Sequence, residues 1–556
     1  MAKKVVIGAF SAILLIAAVI GVIAITIRSG STPSGGNLTT TSKSASTLCS
    51  QAVYKEVCEE TLSSINETST VGDIIRAAVK VITGEVQSAY QKVHELHKDA
   101  KGSIDNDGFE FCKELLADAS DRLAAVLAEA DNGHRLNDFE AWLSMVISYR
   151  TNCLASIESE ELNVQLNAAL QNTTVLTDNA IAIVSSIGRV AKALDLGLNI
   201  TIDGGISGGR RLLAAADGYP SWMSAADRKL LASHRPITFR ARPNAVVAKD
   251  GSGQFKTIND ALKAMPKKYS GRYVIYVKAG IYNEKVIVEK DKPNLLIYGD
   301  GPRKTIVTGR LNFAEGVGTF KTATFSVQAP GFIARSMGFT NTAGPQGHQA
   351  VALRLNADAA VLYNCRIDGF QDSFYPQSGR HFVRNCVISG TIDFIFGDSA
   401  VVIQNSLIIL RRPMDNQFNT VTAHGKDTPN ERTGIVIQNC RIVPEQRLFP
   451  DRFKIRSFLG RPWKQFSTTV VMESLLGDLI RPEGWFEWNG NFALNTLYYA
   501  EFNNRGPGAS TTARVNWRGY RVIDRREAST WTADRLLGGG AWIPYSGVPH
   551  SLSLVK

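Results

Sequence analysis

Two aspartates occupy the same phase of a repeating unit. Asn364, Asn385, Asn405 and Asn439 each open a short motif, Asn-Cys/Ser-x-Ile, with gaps of 21, 20 and 34 residues between them. The longest gap holds a polar insertion around Pro413 to Thr433. Asp372 lies eight residues after Asn364, and Asp393 lies eight residues after Asn385. Coils stacked in register would bring the two carboxyls to about the strand spacing of 4.8 Å. Two acids that close cannot both ionise cheaply, so one is driven towards its protonated form. The chemistry on offer is an acid beside a base, or an acid beside a nucleophile. Aspartates at turns also serve only to bond local amides, so the neighbours matter. Aromatics follow both acids, in Gln371-Asp372-Ser373-Phe374-Tyr375 and in Asp393-Phe394-Ile395-Phe396-Gly397. Leu459-Gly460-Arg461-Pro462-Trp463 adds a guanidinium and an indole on a rigid turn, and Gln349 opens an apolar run to Leu353.

The elements that must position these groups are short apolar strands recurring about every 20 residues, the pattern of a parallel β-helix. At these residues the chain resembles the plant pectin methylesterases over its whole length. The blocks that carry the resemblance are Gly280 to Glu284, Gln349 to Leu353, Gln371-Asp372, Asp393 to Gly397 and Leu459 to Trp463. It implies a right-handed parallel β-helix that hydrolyses methyl esters of galacturonan. It also implies roles: Asp393 as nucleophile, Asp372 as general acid/base, Gln349 and Gln371 as oxyanion donors, Arg461 as partner of Asp393. Thr319, Tyr375, Phe396, Trp463 and Trp485, with Gln349 and Arg461, are the expected substrate contacts. Gly280 and Glu284 read as structural, a turn and a strand-end acid. The side chains suit such roles, because ester cleavage needs a nucleophile, a proton donor for methoxide and donors for the oxyanion. No metal or cofactor is required, and of the eight histidines only His348 touches one of these blocks. A polygalacturonase would use paired aspartates on a glycosidic bond, and a pectate lyase would gather carboxylates around calcium. A non-catalytic wall protein would need no such constellation. The glutamine pair and the Leu459–Trp463 block favour the esterase.

Several residues depart from the family pattern. Ser406 stands where relatives often carry a cysteine that bridges the Cys386 position. Ser373-Phe374 replaces Thr-Leu, and Asp398-Ser399 replaces Asn-Ala. With Ser406 in that place, Cys365, Cys386 and Cys440 are expected as free thiols, the alternative being a Cys365–Cys386 bridge between neighbouring coils.

A chain of 556 residues is too long for one ordinary domain. Its net charge of +11 is uneven: residues 232–556 carry 42 Lys+Arg against 25 Asp+Glu, which leaves 20 against 26 for residues 1–231. A basic solenoid after an acidic segment points to a polyanionic partner and a charge-complementary pro-region. Demethylated pectin fits that partner better than nucleic acid, given the targeting start and the sequons. Lys3 and Lys4 precede an apolar run from Val5 to Ile27, read as a signal anchor or signal peptide over residues 1–30, so that the membrane is met only there. Residues 31–47 read as a linker. Residues 48–203 show three- and four-residue apolar spacing, an all-α bundle. Cys49, Cys58, Cys112 and Cys153 can pair in three ways in an oxidising lumen, and close spacing favours Cys49–Cys58 with Cys112–Cys153. This region is similar to pectin methylesterase inhibitor domains, four-helix bundles in which the resemblance implies that pairing. Sequons at Asn37, Asn66, Asn172 and Asn199 all precede the solenoid. Residues 204–240 read as a processing linker, with Arg210-Arg211 and Arg228-Lys229 each followed by two leucines. Residues 241–556 are the catalytic domain. Besides pectin, the implied partners are a proteinaceous inhibitor and a processing subtilase, on a secretory route to the cell wall.

Overall fold

The computed structural model describes residues 44–65, 69–193, 243–267 and 269–555. The expected anchor, Asn37, Asn66, Asn199 and both basic pairs of the linker lie outside the described residues. Among those described, no helix is long and apolar enough to cross a membrane. The chain divides into two units.

The first unit is helical, its longest elements being Val71–Leu96, Ser103–Ala128, Leu136–Ala155 and Glu160–Ala193. Val71–Leu96 starts where it does because Thr70 and Asp73 cap each other reciprocally, satisfying two amides that the first turn leaves orphaned. Its buried stripe of Ile75, Val79, Ile82, Val86 and Val93 follows the helical period. Leu136–Ala155 is buried almost all round, as befits the central helix of a bundle. Two disulfides, Cys49–Cys58 and Cys112–Cys153, staple the unit. Asn172 is exposed on the last helix, accessible to a glycan.

The second unit is a parallel β-helix of three sheets, with eleven, seven and eight strands. The asparagine of each repeat has a physical cause. Asn364, Asn385, Asn405 and Asn439 all turn the corner between two sheets with φ between 50° and 52°, a left-handed conformation that asparagine tolerates better than most residues. The residue after each corner points inward and accepts the backbone N–H of the coil before it. Cys386 Sγ accepts from Cys365 N, Ser406 Oγ from Cys386 N, Cys440 Sγ from Ser406 N, and Ser474 Oγ from Cys440 N. Ser406 therefore fills the same rung that cysteine fills elsewhere. All three remaining cysteines are free and buried. Thiol titration should find three reactive groups per chain in denaturant and almost none before it; one group in denaturant would mean a Cys365–Cys386 bridge.

The seven-stranded sheet carries the candidate site. Five of its strands, from the edge strand Ser457–Gly460 inward through Asn419–His424, Ile395–Gly397 and Phe374–Ser378 to Leu353–Asn356, lie on successive coils. A second apolar layer forms on the outside of the eleven-stranded sheet, where Leu536, Leu537, Trp542 and Ile543 of the C-terminal segment cover Val402, Val436 and Val470.

Candidate active site

Leu353, Phe374 and Ile395 are register partners on three consecutive coils. Counting back two residues puts Asp372 and Asp393 at equivalent places on adjacent coils, just before their strands. The amide of Asp372 donates to Ile392 O at 3.0 Å, so the spacing of the acids is fixed by the backbone ladder rather than by side-chain packing. Both have positive φ, 62° and 50°. Such corners are costly for most side chains and cluster at functional sites.

Asp393 is 5 % exposed and fully satisfied. Arg461 donates to both its oxygens, Nε at 2.9 Å to Oδ1 and Nη2 at 2.6 Å to Oδ2, in a forked pair. Thr420 Oγ1 donates to Oδ1 at 2.6 Å and accepts from the Asp393 amide at 2.8 Å. Asp372 has no such support. Burial first, and the Asp393 charge second, push its carboxyl well above the ordinary range, with Arg461 opposing. One acid is clamped by a cation and the other is pushed towards its protonated form.

Gln349 and Gln371 follow the same ladder: Ala350 N donates to Gln371 O at 3.2 Å, which stacks the two glutamine segments on neighbouring coils beneath the acids. Both glutamines are half-buried, whereas His348 is exposed at a left-handed turn. Thr319 is half-buried and opens a short 3-10 helix whose Thr322 hydroxyl accepts from Val351 N. Tyr375 and Phe396 stack on each other at 4.2 Å, and Trp463 meets Phe396 edge-on at 6.2 Å. Tyr375 and Phe396 are only 4 % and 6 % exposed, so they form the packed base and Trp463 is the accessible ring. Gly425 lies under that indole: a Cβ there would come within 2.8 Å of Trp463 Cε3. Glu284 accepts from the amides of Ile258 and Asn259 and so anchors a helix start, as its structural reading required.

Trp485 corrects the sequence reading. Expected at the cleft, it is 1 % exposed, stacked on Tyr499 inside the coil with its indole N–H directed at Glu501. The ring that reaches the site is Trp488, three residues on, at 4.3 Å from the Arg461 guanidinium. Phe418 stands 5.5 Å from the same guanidinium and packs with Phe458 and Phe486. None of these was singled out in the sequence. Phe418 sits in the polar insertion, where the repeat is interrupted and offers no register to read.

The pectinesterase family model matches residues 244–540, more than half the chain. The chain belongs to the pectinesterase family. A second model, the plant invertase/pectin methylesterase inhibitor family, matches residues 43–183. Among curated relatives, "Probable pectinesterase/pectinesterase inhibitor 13" of Arabidopsis thaliana is 42 % identical over 91 % of this chain and 82 % of its own. "Pectinesterase 4" of the same plant is 39 % identical over all of both chains. Among solved structures, "Pectin methylesterase from Carrot" is 48 % identical, covers 56 % of this chain and 99 % of its own, and superposes with a TM-score of 0.56.

Behind Trp463, this pectinesterase encloses a second acid pair. Asp398, one of the departures from the family pattern, is fully buried and accepts from Thr433 Oγ1 at 2.8 Å. Glu431 caps its own loop by accepting from the amides of Asp427 and Thr428. Burial and the neighbouring Glu431 push Asp398 well above the carboxylate range, and burial pushes Glu431 up to about 7. His424, at 3.8 Å from Asp398, is held down to about 3 by burial and stays neutral. Carboxyls raised in the folded state stabilise it fully below their unfolded values near 4, and that contribution is lost as pH rises through about 7. Asp398→Asn removes one titrating partner. Its melting temperature should therefore fall less than the wild type's between pH 5 and pH 8. Melting temperatures that change in parallel for both proteins across that range would refute the titration of Asp398 in the folded state.

Proposed function

We propose that this pectinesterase cleaves the methyl ester of galacturonan through an acyl-enzyme formed on Asp393. The single observation that supports it best is the asymmetry of the pair, in which Asp393 is clamped by Arg461 and Thr420 while its neighbour Asp372 is driven towards the protonated form. Asp393 Oδ attacks the ester carbonyl. The oxyanion accepts hydrogen bonds from the Gln349 and Gln371 amides, which add no charge that would hold the acidic product. As the tetrahedral intermediate collapses, the C–O bond to the methoxy group breaks, Asp372 gives it a proton, and methanol leaves. The acyl group is then an anhydride on Asp393. Asp372, now a carboxylate, takes a proton from water, and the resulting hydroxide attacks the same carbonyl. The second intermediate expels Asp393 as a carboxylate and leaves a free galacturonic acid, which loses its proton to solvent, so that Asp393 is again ionised and Asp372 protonated.

The rest of the chain supports a reading as a secreted precursor. The inhibitor-like unit, rich in acidic residues, precedes a basic catalytic unit, and a tethered partner has a high effective concentration. In this reading it restrains or chaperones the enzyme until a subtilase cuts near Arg210-Arg211 or Arg228-Lys229, after which the catalytic unit works in the cell wall. The N-terminal apolar run, as signal anchor or signal peptide, and glycans at Asn37, Asn66, Asn172 and Asn199 belong to that transit.

Incubating the protein with methyl-esterified pectin and following methanol and reducing ends together tests the reaction. Methanol without new reducing ends is expected; reducing ends without methanol would indicate a glycosidase or lyase.

A further inference from the structure

Outside the cleft of the acid pair, the described residues enclose a groove of about 600 Å³, a volume typical of ligand sites. It lies on the outer face of the eight-stranded sheet, on the other side of the corner at Asp372. Ile367, Ile388 and Ile408 are fully buried in the core, so alternation turns their neighbours Asp368, Ser389 and Ile409 outward. Those three are register partners, with Thr340 on the coil before them. Together they make a floor that runs across the strands. From Thr340 to Pro444 the groove crosses five strands, which is four strand spacings or roughly 19 Å. A pyranose unit is about as long as one spacing, so the groove has the length of a short run of sugars.

Its charges are unlike those of the chain around it. Residues 232–556 carry 42 Lys+Arg against 25 Asp+Glu, yet the charged residues lining the groove are two of each sign, and they are paired. Arg366 donates through Nε to Asp368, which also accepts from Ser389 Oγ at 2.6 Å. Arg411 lies over the Phe370 ring at 3.9 Å, donates to Gly369 O at 2.7 Å and reaches Glu445 Oε2 at 3.4 Å. A site for an acidic polymer would leave its guanidiniums uncountered. Here each is matched, which cancels the charge and keeps hydrogen-bonding edges. Among the described residues, Arg366 Nη1 and Nη2, the Thr340 hydroxyl and the exposed Gln446 amide have no hydrogen-bond partner. Planar forked groups of this kind can bond two adjacent hydroxyls at once. Ile409 and Pro444 add apolar surface for the C–H face of a sugar ring.

We propose that this groove is a second polysaccharide-binding site, separate from the cleft of the acid pair, and that it takes an uncharged run of pyranose units. The inference goes beyond the ester chemistry and does not depend on it. An uncharged polymer hydrogen-bonds the forked edges and lays its rings on the apolar floor. An acidic polymer gains little there, because Arg366 and Arg411 are already neutralised and its carboxylates would face Asp368 and Glu445. Two sources share the required chemistry: a neutral galactan, and a galacturonan backbone whose carboxyls are masked. The groove gives the enzyme a hold on polysaccharide that does not rely on its net positive charge.

The test is equilibrium binding of the full chain to three soluble polymers: a β-1,4-linked galactan, carboxyl-reduced galacturonan and polygalacturonate. The first two carry neither charge nor ester. Binding to the reduced galacturonan would assign the backbone as occupant, and binding to the galactan alone would assign a neutral side chain. The wild type should bind at least one of them, with an affinity that sodium chloride leaves unchanged, whereas polygalacturonate binding should weaken with salt. Ile409→Trp, which fills the groove, should abolish binding of the uncharged polymer. Gln446→Ala removes one exposed amide and should weaken it about threefold. Both should bind polygalacturonate as the wild type does and keep its melting temperature. Asp368→Asn leaves Arg366 uncountered, so it should tighten polygalacturonate binding more than the same change of charge at exposed Asp291 does. A wild type that binds neither uncharged polymer would overturn the site, as would an Ile409→Trp variant that folds and binds them normally. Equal losses on polygalacturonate, or equal gains from Asp368→Asn and Asp291→Asn, would also overturn it, since the groove would then not discriminate by charge.

Discussion

Asp393→Asn should abolish methanol release, with a fall of roughly 10⁴-fold or more in kcat. The amide keeps the size of the side chain and one acceptor for Thr420, so fold and pectin affinity should survive. It presents no anionic oxygen to the ester, and its NH₂ group faces the Arg461 donors that now pair with Oδ2. Steady-state methanol release, together with pectin retention on a column, reads both properties. Activity within tenfold of the wild type would remove Asp393 as the nucleophile. Loss of both activity and affinity, with an unchanged melting temperature, would give it a binding role instead.

Asp372→Asn should be less severe, a loss of roughly 10²–10⁴-fold, because it removes a proton donor and leaves the nucleophile in place. Its pH signature is more telling than its size. The Asp372 carboxyl sits well above the usual range through burial and the Asp393 charge, which favours the protonated form that the proposed first step needs. In the wild type, kcat/KM should hold until pH rises through that raised value and then fall. In Asp372→Asn the residual rate should lack that alkaline limb. A leaving group that needs no proton, such as a nitrophenolate, should restore the first burst of product but not turnover, since in the proposed mechanism water activation also needs Asp372. An unchanged alkaline limb in the variant would assign the titration to another group.

The catalytic half of the sequence was legible because a solenoid repeats its register. Once Asn364 and Asn385 marked equivalent corners, the eight-residue offset placed Asp372 and Asp393 side by side, and the free cysteines followed from the same column. Trp485 was misplaced because proximity to a motif does not say which way a side chain points; it lies outside the strands, and its indole turns inward onto Tyr499. Phe418 was missed because it sits in the insertion, where the period fails, and Trp488 because it lies beyond the last block that the repeat could place; only the folded chain brings both rings to Arg461. Asp398 was noticed as a departure, but its meaning depended on Glu431, 33 residues away on a loop that no periodicity predicts.

The left-handed corners at Asp372 and Asp393 govern which substitutions can be interpreted, and which ones evolution can try cheaply. A residue with a Cβ and no short polar arm pays about 1–2 kcal/mol simply to adopt that backbone, before any chemistry is lost. Alanine or glutamate at either position would thus confound a catalytic defect with a distorted coil. Asparagine and glycine escape the penalty. On the proposed roles, silencing this enzyme while leaving its shape intact, as in a decoy that occupies pectin without cutting its esters, would be a one-step change from Asp to Asn at residue 393.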